Sequence, residues 1–183
     1  MIALAVGAGS SACAKESSGG GHAGAATSAE AQDKSALVVG SPAPNFVVRS
    51  SDGTELRLAA LKGKPVVVYF YPKDETPGCT KEACAFRDAW DSLSKTGVVL
   101  IGVSADDDAS HQKFAEHHRL PFKLVSDPHG DLAKSFGVPT RMGFTSRQSI
   151  VIDENGNVKR IYRDVDVTKH AAEIAADLGV TKG

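Results

Sequence analysis

Residues 66–84 read V-V-V-Y-F-Y-P-K-D-E-T-P-G-C-T-K-E-A-C, and the rest of the chain can be interpreted around them. The first six residues form an unbroken run of β-branched and aromatic side chains, which is typical of a strand covered on both faces. Pro72 cannot continue the hydrogen bonding of that strand. The stretch therefore predicts a central strand that ends in a loop at Pro72.

Thr76-Pro77 signals the start of a helix directly after this loop, with a capping hydroxyl followed by proline at the first helical position. Cys79 is then the third residue of the helix. Its sulfur faces unpaired backbone N–H groups and the positive end of the helix dipole, and both favour the thiolate. We therefore expect Cys79 to be nucleophilic. The alternative is a buried, inert cysteine at a helix start.

Cys84 lies five residues after Cys79. On an ideal helix this spacing separates the two Cα atoms by roughly 8 to 9 Å, whereas a disulfide requires about 4.4 to 6.8 Å. The two cysteines therefore cannot bond while the helix is intact. Either they stay unpaired, or they form a conditional bridge that requires the first helical turns to unwind.

The segment P-K-D-E-T-P-G-C-T-K-E-A-C, residues 72–84, closely resembles the active-site segment of peroxiredoxins. The resemblance is specifically to the atypical two-cysteine subfamily called bacterioferritin comigratory protein or peroxiredoxin Q, and it extends from about Val39 to the C-terminus. It implies a thiol-dependent peroxidase that reduces hydrogen peroxide and organic hydroperoxides. We expect no cofactor and no metal.

The same resemblance implies a role for each residue of the motif. Cys79 is the peroxidatic cysteine, which peroxide oxidises to a sulfenic acid; Thr76 orients the peroxide, and Pro72 shields the pocket from water. Cys84 is the resolving cysteine, whose attack on the sulfenic acid gives an intramolecular disulfide. A thioredoxin-type dithiol then reduces this disulfide.

The family pocket also contains an arginine just before a late strand. The stretch R-Q-S-I-V-I-D, residues 147–153, matches that segment and makes Arg147 the candidate. Its guanidinium would stabilise the thiolate and the developing negative charge. Arg141 is the nearby competitor. A lone arginine is usually a solvated surface charge, so the choice of Arg147 rests on the resemblance.

Alternating strands and helices, followed by a hairpin and a last helix, predict an α/β three-layer domain. Together with the motif this implies a thioredoxin-like fold with an extra N-terminal β-hairpin, whose turn is marked by Asp52-Gly53. The helix that contains Cys79 is predicted to reach Lys95, with Gly97 as its C-terminal cap. Further strands are predicted over 98–103, 122–126, 149–153 and 158–162, and further helices over 107–119, 132–136 and 168–178.

The N-terminal residues differ in composition from this domain. Residues 2–14 are apolar or small and uncharged, a length that suits the apolar region of a secretion signal. The tetrapeptide S-S-A-C, residues 10–13, resembles a bacterial lipobox, although Ser10 stands where leucine is usual and no basic residue precedes the apolar run. Residues 15–36 are rich in Gly, Ala and Ser, which is typical of a flexible linker.

We therefore expect three regions: a signal or lipoprotein-type segment over 1–14, a linker over 15–36, and a peroxiredoxin domain over 37–183. This organisation predicts an extracytoplasmic protein in the periplasm or cell envelope with a possible lipid anchor at Cys13. A cytoplasmic location is the alternative. We expect a monomer whose partners are peroxides and a thioredoxin-like dithiol.

The net charge of −1 gives no electrostatic case for a nucleic-acid partner. Three cysteines are too few for a disulfide scaffold, and they form no zinc-site spacing. His111, His117 and His118 fall on one polar helix, where solvated surface is a better interpretation than a metal site. His129 and His170 lie beside predicted helix starts and receive no role.

Two other functions remain open. A thiol–disulfide oxidoreductase with the same fold would use a Cys-x-x-Cys motif, which is absent. A tethered copper-binding module would use Cys-x-x-x-Cys and a distant histidine, and it would give Thr76 and Pro77 no purpose. Peroxide consumption and copper titration distinguish the three functions.

Overall fold

The structure is a computed structural model that describes residues 37–180. Its strands are β1 (Val47–Arg49), β2 (Glu55–Arg57), β3 (Val66–Phe70), β4 (Val99–Ser104), β5 (Lys123–Ser126), β6 (Thr140–Arg141), β7 (Phe144–Thr145), β8 (Gln148–Ile152) and β9 (Val158–Tyr162). Its α-helices are α1 (Pro77–Asp88), α2 (Trp90–Leu93), α3 (Asp108–His118), α4 (Asp131–Ser135) and α5 (His170–Asp177). Short 3₁₀ helices cover Leu58–Leu61 and Ser94–Thr96.

A five-stranded sheet in the order β5-β4-β3-β8-β9 forms the middle of the fold. Strand β3 is the central strand, parallel to β4 and antiparallel to β8. All of its residues are buried, as a strand covered on both faces requires. The predicted central strand is therefore confirmed, and the loop that contains Pro72 follows it.

The two faces of β3 bury different sets of side chains. Val66, Val68 and Phe70 pack with the hairpin β1–β2 and with α4. The alternate residues Val67 and Tyr69 pack with α1, α3 and α5. Helices thus cover both faces of the sheet, which confirms the α/β three-layer architecture, and pairing of β1 with β2 confirms the N-terminal hairpin.

The predicted helix from Cys79 to Lys95 is wrong in its second half. Helix α1 ends at Asp88, because Ala89 has φ −87° and ψ 0° and leaves the regular helical path. The chain then continues through α2 and a 3₁₀ helix to Gly97, whose φ of 74° confirms the predicted C-terminal cap. The break turns Trp90 toward Phe122, with their ring centroids 6.1 Å apart.

The predicted boundaries of the later elements agree with the structure to within two residues at each end. The small hairpin β6–β7, which directly precedes β8, was not predicted. Its two strands have two residues each, too few to show a sequence alternation. Among the described residues, no helix is both long and apolar enough to cross a membrane.

Candidate active site

The loop after β3 and the first turn of α1 position Cys79. The amide of Tyr71 makes the last strand hydrogen bond, to the carbonyl oxygen of Val103 at 3.0 Å, and Pro72 follows it half-buried. Pro77 is the first residue of α1, so Cys79 is its third residue. Only 2% of Cys79 is exposed. The thiol therefore lies at the helix N-terminus and out of bulk water.

The hydroxyl of Thr76 does not cap this helix, so that part of the helix-start prediction is wrong. Thr76 occupies the N-cap position in extended backbone, but its Oγ1 donates to the carbonyl oxygen of Lys73 at 3.0 Å. The tight turn between these residues brings that carbonyl within reach of the hydroxyl. Since no side chain caps α1, its first amides remain available to a negative charge beside Cys79.

Strand pairing brings Arg147 to Cys79. Phe70, the last residue of β3, pairs with Gln148, the first residue of β8, so the residue before β8 lies beside the loop after β3. The Arg147 Nη2 atom is 3.2 Å from the Cys79 Sγ atom. Arg141 instead lies exposed on β6. The structure thus places Arg147, rather than its competitor, at the sulfur.

Glu82 is a site residue that sequence reasoning missed. It lies three residues after Cys79 on the same face of α1, its side chain is only 1% exposed, and its carboxylate accepts a hydrogen bond from Arg147 Nη1. One guanidinium therefore bridges the sulfur and a buried carboxylate. The available signal was a charged residue at an inward-facing position of the helix, next to Ala83 and four residues before Phe86.

Burial raises the pKa of Glu82 to about 7, and the positive charge of Arg147 opposes part of that rise. His170 lies beside Glu82, with its Nε2 atom 3.9 Å from Glu82 Oε1 and 2.8 Å from the Ser149 hydroxyl. Burial lowers the pKa of His170 to about 4, and Arg147 acts in the same direction. His170 is therefore neutral near pH 7, and Arg147 supplies the positive charge that faces Glu82.

Glu82 gives the stability of the reduced protein a defined pH dependence. Its folded pKa of about 7 lies above the ordinary value of 4.5, so the folded state binds more protons between these values. The contribution of Glu82 to the free energy of unfolding therefore falls as the pH rises from about 4.5 to 7. We expect Glu82→Gln to remove this fall, measured by urea unfolding at pH 5 and pH 7.5.

The buried His170 acts in the opposite direction. Its folded pKa of about 4 lies below the ordinary value of 6.5, so its contribution to stability is present above pH 6.5 and is lost as the pH falls toward 4. The profile of the wild type alone combines both residues. The informative quantity is the difference in the free energy of unfolding between wild type and Glu82→Gln. If this difference is the same at pH 5 and pH 7.5, the prediction is contradicted.

Cys84 lies half-buried on α1, with its Sγ atom 3.9 Å from Nδ1 of His118. Cys79 and Cys84 are both free thiols, and α1 is continuous from Pro77 to Asp88. The structure thus has the intact helix in which the two cysteines cannot bond.

The predicted surface position of His111 is wrong, because this side chain is fully buried. Phe114 anchors α3 in the core, and His111 lies three residues earlier on the same face. Its Nδ1 atom is 2.9 Å from Asp74 Oδ2, and the Tyr71 hydroxyl donates to Asp74 Oδ1 at 2.7 Å. This network attaches the loop that contains Pro72 and Thr76 to α3.

The other two histidines of α3 meet Glu75. His117 Nδ1 is 3.1 Å from Glu75 Oε1, and His118 Nε2 is 3.0 Å from Glu75 Oε2. These are residue types that can bind metals, and their ligand atoms lie within 4.8 Å of one another. Because each imidazole contacts a different oxygen of one carboxylate, the structure describes a hydrogen-bonded cluster.

Cys13, the segment over 1–14 and the linker over 15–36 lie outside the described residues. The predictions about them therefore rest on sequence alone.

Comparison with known proteins agrees with this architecture. The AhpC/TSA family pattern matches residues 39–161. The chloroplastic peroxiredoxin Q of Oryza sativa subsp. japonica is 50% identical over 137 residues, which cover 73% of this chain and 63% of that protein. A relative from Coxiella burnetii, provisionally named peroxiredoxin bcp, is 44% identical over 149 residues, which cover 78% of this chain and 99% of the relative. The chain thus spans less than two thirds of the length of the chloroplastic relative.

Solved structures also share the fold. One example is the bacterioferritin comigratory protein of Xanthomonas campestris, solved to study its alkyl peroxide reduction activity. It superposes with a TM-score of 0.69 at 33% identity, over 73% of this chain and 90% of that one. The thioredoxin-like peroxiredoxin fold is thereby confirmed.

Proposed function

This chain belongs to the AhpC/TSA family, and we propose that it is a thiol-dependent peroxidase that reduces hydrogen peroxide and organic hydroperoxides. The observation that carries the proposal is the contact between the Arg147 guanidinium and the buried Cys79 sulfur at the start of α1. The guanidinium and the uncapped helix amides both favour negative charge at this point.

In the first step the Cys79 thiolate attacks one oxygen of the peroxide. An S–O bond forms and the O–O bond breaks, so the sulfur is oxidised to sulfenic acid and the peroxide is reduced to water or an alcohol after the leaving oxygen takes a proton. Arg147 and the helix amides stabilise the charge that moves onto this oxygen.

Thr76 and Pro72 would assist this step from the loop that precedes α1. The Thr76 hydroxyl donates its hydrogen to Lys73, which leaves its oxygen lone pairs free to accept a hydrogen bond from the peroxide O–H. Pro72 has no backbone N–H and is half-buried at the loop start, so it can exclude water without adding a competing donor.

In the second step the Cys84 thiolate attacks the sulfur of the sulfenic acid. The S–S bond forms, the S–O bond breaks, and the departing hydroxide becomes water. The first turns of α1 must unwind, because the intact helix keeps the cysteines apart. Gly78 lies in the first turn and weakens the helix there. A thioredoxin-type dithiol then reduces the disulfide by exchange and returns the enzyme to its starting state.

Peroxide consumption with thioredoxin, its reductase and NADPH tests this function. We expect continuous turnover, and one equivalent of peroxide without reductant should lower the mass of the chain by two hydrogens as the disulfide forms. Titration with copper distinguishes the alternative module. Tight copper binding without peroxide consumption would refute the peroxidase and support that alternative.

We also propose an extracytoplasmic location with a lipid anchor at Cys13; the cytoplasm is the alternative. The proposal rests on the apolar run over residues 2–14, the lipobox-like S-S-A-C and the Gly/Ala/Ser-rich residues that follow. The names of the relatives give no support for this location. We keep the monomer as a prediction, which analytical ultracentrifugation can check.

Cys13→Ala should release the protein from the membrane fraction of a bacterial host or block its maturation. Stable anchoring requires more than one acyl chain, so the mature protein should carry a mass increase of several chains on Cys13. Fractionation followed by intact-mass measurement checks both. Recovery of the unmodified chain, with Met1 retained, from the cytoplasmic fraction would contradict the anchor and leave the peroxidase proposal unaffected.

A further inference from the structure

The side chains of Cys84, His118 and Glu75 form a contiguous row outside the Cys79 pocket. Cys84 Sγ is 3.9 Å from His118 Nδ1, and His118 Nε2 is 3.0 Å from Glu75 Oε2. The sulfur contact is long, as catalytic hydrogen bonds often are before substrate binds. A thiol, an imidazole and a carboxylate in this order are the parts of an activated cysteine nucleophile.

The carboxylate determines which imidazole nitrogen faces the thiol. Glu75 accepts a hydrogen bond, so it favours a hydrogen on His118 Nε2 and leaves Nδ1 as an acceptor toward Cys84. The hydrogen bond with His118 is the largest cause that lowers the pKa of Glu75, which keeps its carboxylate ionised near neutral pH. His118 is also sheltered, with 15% of its side chain exposed against 70% for His117.

The backbone conformation of Glu75 supports a functional role independently of these contacts. Glu75 has φ 58°, in the left-handed region that a residue with a side chain rarely adopts. Such conformations persist only where their surroundings hold them, and they cluster at functional sites. Here the next residue is Thr76, and the preceding residue, Asp74, is held by the buried His111. The strained residue thus links the Cys79 loop to the imidazole that faces Cys84.

Other charged groups near Cys84 lie on α1 and at the end of α3. Arg87, on the same helix, donates from Nη1 to the His118 carbonyl oxygen at 2.9 Å. The pKa of Arg87 is raised first by its hydrogen bond with Asp88 and further by attraction to a Cys84 thiolate. His117 contacts the other oxygen of Glu75. Arg87 thus supplies a positive charge that acts on Cys84, and its partner Asp88 offsets part of that charge.

We propose that a relay of three side chains prepares the resolving thiolate; the Cys84 relay consists of Cys84, His118 and Glu75. This inference rests on the proposed function and deepens it. His118 Nδ1 accepts the proton of the Cys84 thiol, which leaves an imidazolium paired with the Glu75 carboxylate. The Cys84 thiolate then attacks the sulfenic sulfur of Cys79: the S–S bond forms, the S–O bond breaks, and the released hydroxide becomes water as the imidazolium gives up its proton, which returns His118 to its neutral form. His118 touches the reacting thiol and is a catalytic residue, whereas Glu75 positions it.

The relay fits the movement that resolution requires. Cys79 is the third residue of α1 and Cys84 is the eighth, so unwinding the first turns moves Cys79 and leaves Cys84 in the intact part of the helix. Arg87 keeps that part attached to the end of α3. The nucleophile can thus stay ionised beside His118 while the sulfenic acid approaches it.

The relay can be tested without peroxide by measuring how fast iodoacetamide alkylates Cys84. The full-length chain with Cys13→Ala and Cys79→Ser leaves Cys84 as its one thiol. A cysteine without a base is only a few per cent thiolate at pH 7, and its higher nucleophilicity offsets part of that deficit. We therefore expect His118→Gln to slow alkylation roughly fivefold at pH 7. The loss should largely disappear above about pH 9.5, where a cysteine with the ordinary pKa of about 8.5 is roughly nine-tenths ionised.

His117→Gln is the matched control, since it removes a neighbouring imidazole from the same carboxylate without removing the contact to Cys84. Glu75→Gln should reproduce part of the His118→Gln loss, and Glu75→Asp should restore the rate. Equal alkylation rates for His117→Gln and His118→Gln at pH 7, or a loss that persists at pH 9.5, would overturn the relay.

A second measurement follows disulfide formation in the chain that carries only Cys13→Ala, by rapid quenching and mass spectrometry after one equivalent of peroxide. His118→Gln should slow resolution roughly fivefold relative to the formation of Cys79 sulfenic acid at pH 7. An unchanged ratio of the two rates counts against the relay. If the wild type forms no sulfenic acid, the proposed peroxidase is wrong, and the alkylation result still decides whether His118 activates Cys84.

Discussion

Cys79→Ser will abolish thiol-dependent peroxide reduction, whereas Cys84→Ser will consume about one peroxide per active site and then stall. The difference follows from the two environments: Cys79 is buried beside Arg147 at the start of α1, whereas Cys84 is half-buried further along α1 and contacts His118. Without Cys84 the sulfenic acid lacks its resolving thiol, so further peroxide oxidises it to sulfinic acid; both variants are made in the Cys13→Ala chain to remove the third cysteine. Peroxide consumption under single-turnover and steady-state conditions measures both effects.

Intact mass gives the control for this pair of variants. Cys84→Ser should gain one oxygen with one equivalent of peroxide and more oxygens with excess, while Cys79→Ser should keep its mass under the same brief exposure. External thiols such as dithiothreitol should restore turnover in Cys84→Ser only, since they can reduce the sulfenic acid directly. Equal residual activity in the two variants would show that the cysteine roles are wrongly assigned.

Local patterns were sufficient for the parts of the fold that depend on neighbouring residues. The run from Val66 to Phe70 predicts a covered strand because its side chains are apolar on both faces, and both faces are buried. Pro77 marks the start of α1 because its fixed φ and missing N–H suit the first helical turn. Gly97 marks the end of the next helical segment for an equally local reason, its positive φ.

The contacts around Cys79 depend on residues that are distant in sequence. Arg147 lies 68 positions after Cys79 and reaches it through the pairing of β3 with β8. Without the family resemblance nothing in its neighbourhood distinguishes it from a surface charge. The burial of Glu82 depends on the same distant residue. A carboxylate can be buried in a stable fold only where a partner compensates its charge, and that partner is Arg147.

His111 was misplaced for a related reason. A histidine on a polar helix is best predicted as exposed unless a buried partner is known. Its partner is Asp74, which lies 37 positions earlier in the active-site loop. The partners that hydrogen-bond a buried polar group often come from distant parts of the chain. The buried polar contacts of this site could therefore not be predicted from periodicity, although its buried apolar side chains could.

Arg147→Gln should slow the oxidation of Cys79 by roughly 10²-fold or more, the scale for the loss of one donor that acts in the transition state. The guanidinium is planar and contacts the sulfur and Glu82 through two different nitrogens. Glutamine can replace neither the charge nor this geometry. Stopped-flow measurement of Trp90 fluorescence, or rapid quenching with a sulfenic-acid probe, gives the rate constant.

Thr76→Val should cause a loss of similar order, because it removes the acceptor for the peroxide hydroxyl without changing the size of the side chain. Arg141→Gln is the matched control: it removes the same charge from an exposed position six residues away on β6, and its rate should stay within about twofold of wild type. The opposite order for the two arginines would mean that the late strand has been placed wrongly.

Arg147→Gln also leaves Glu82 buried without its partner, which is destabilising, so a loss of rate alone could come from misfolding. The double variant Glu82→Gln with Arg147→Gln separates the two causes, because it removes the buried carboxyl group that has lost its partner while the sulfur still lacks its donor. Urea unfolding should show that the double variant recovers stability relative to Arg147→Gln, and its oxidation rate should remain low. Recovery of both quantities together would mean that Arg147 acts on the fold around Cys79 and not on the reaction itself.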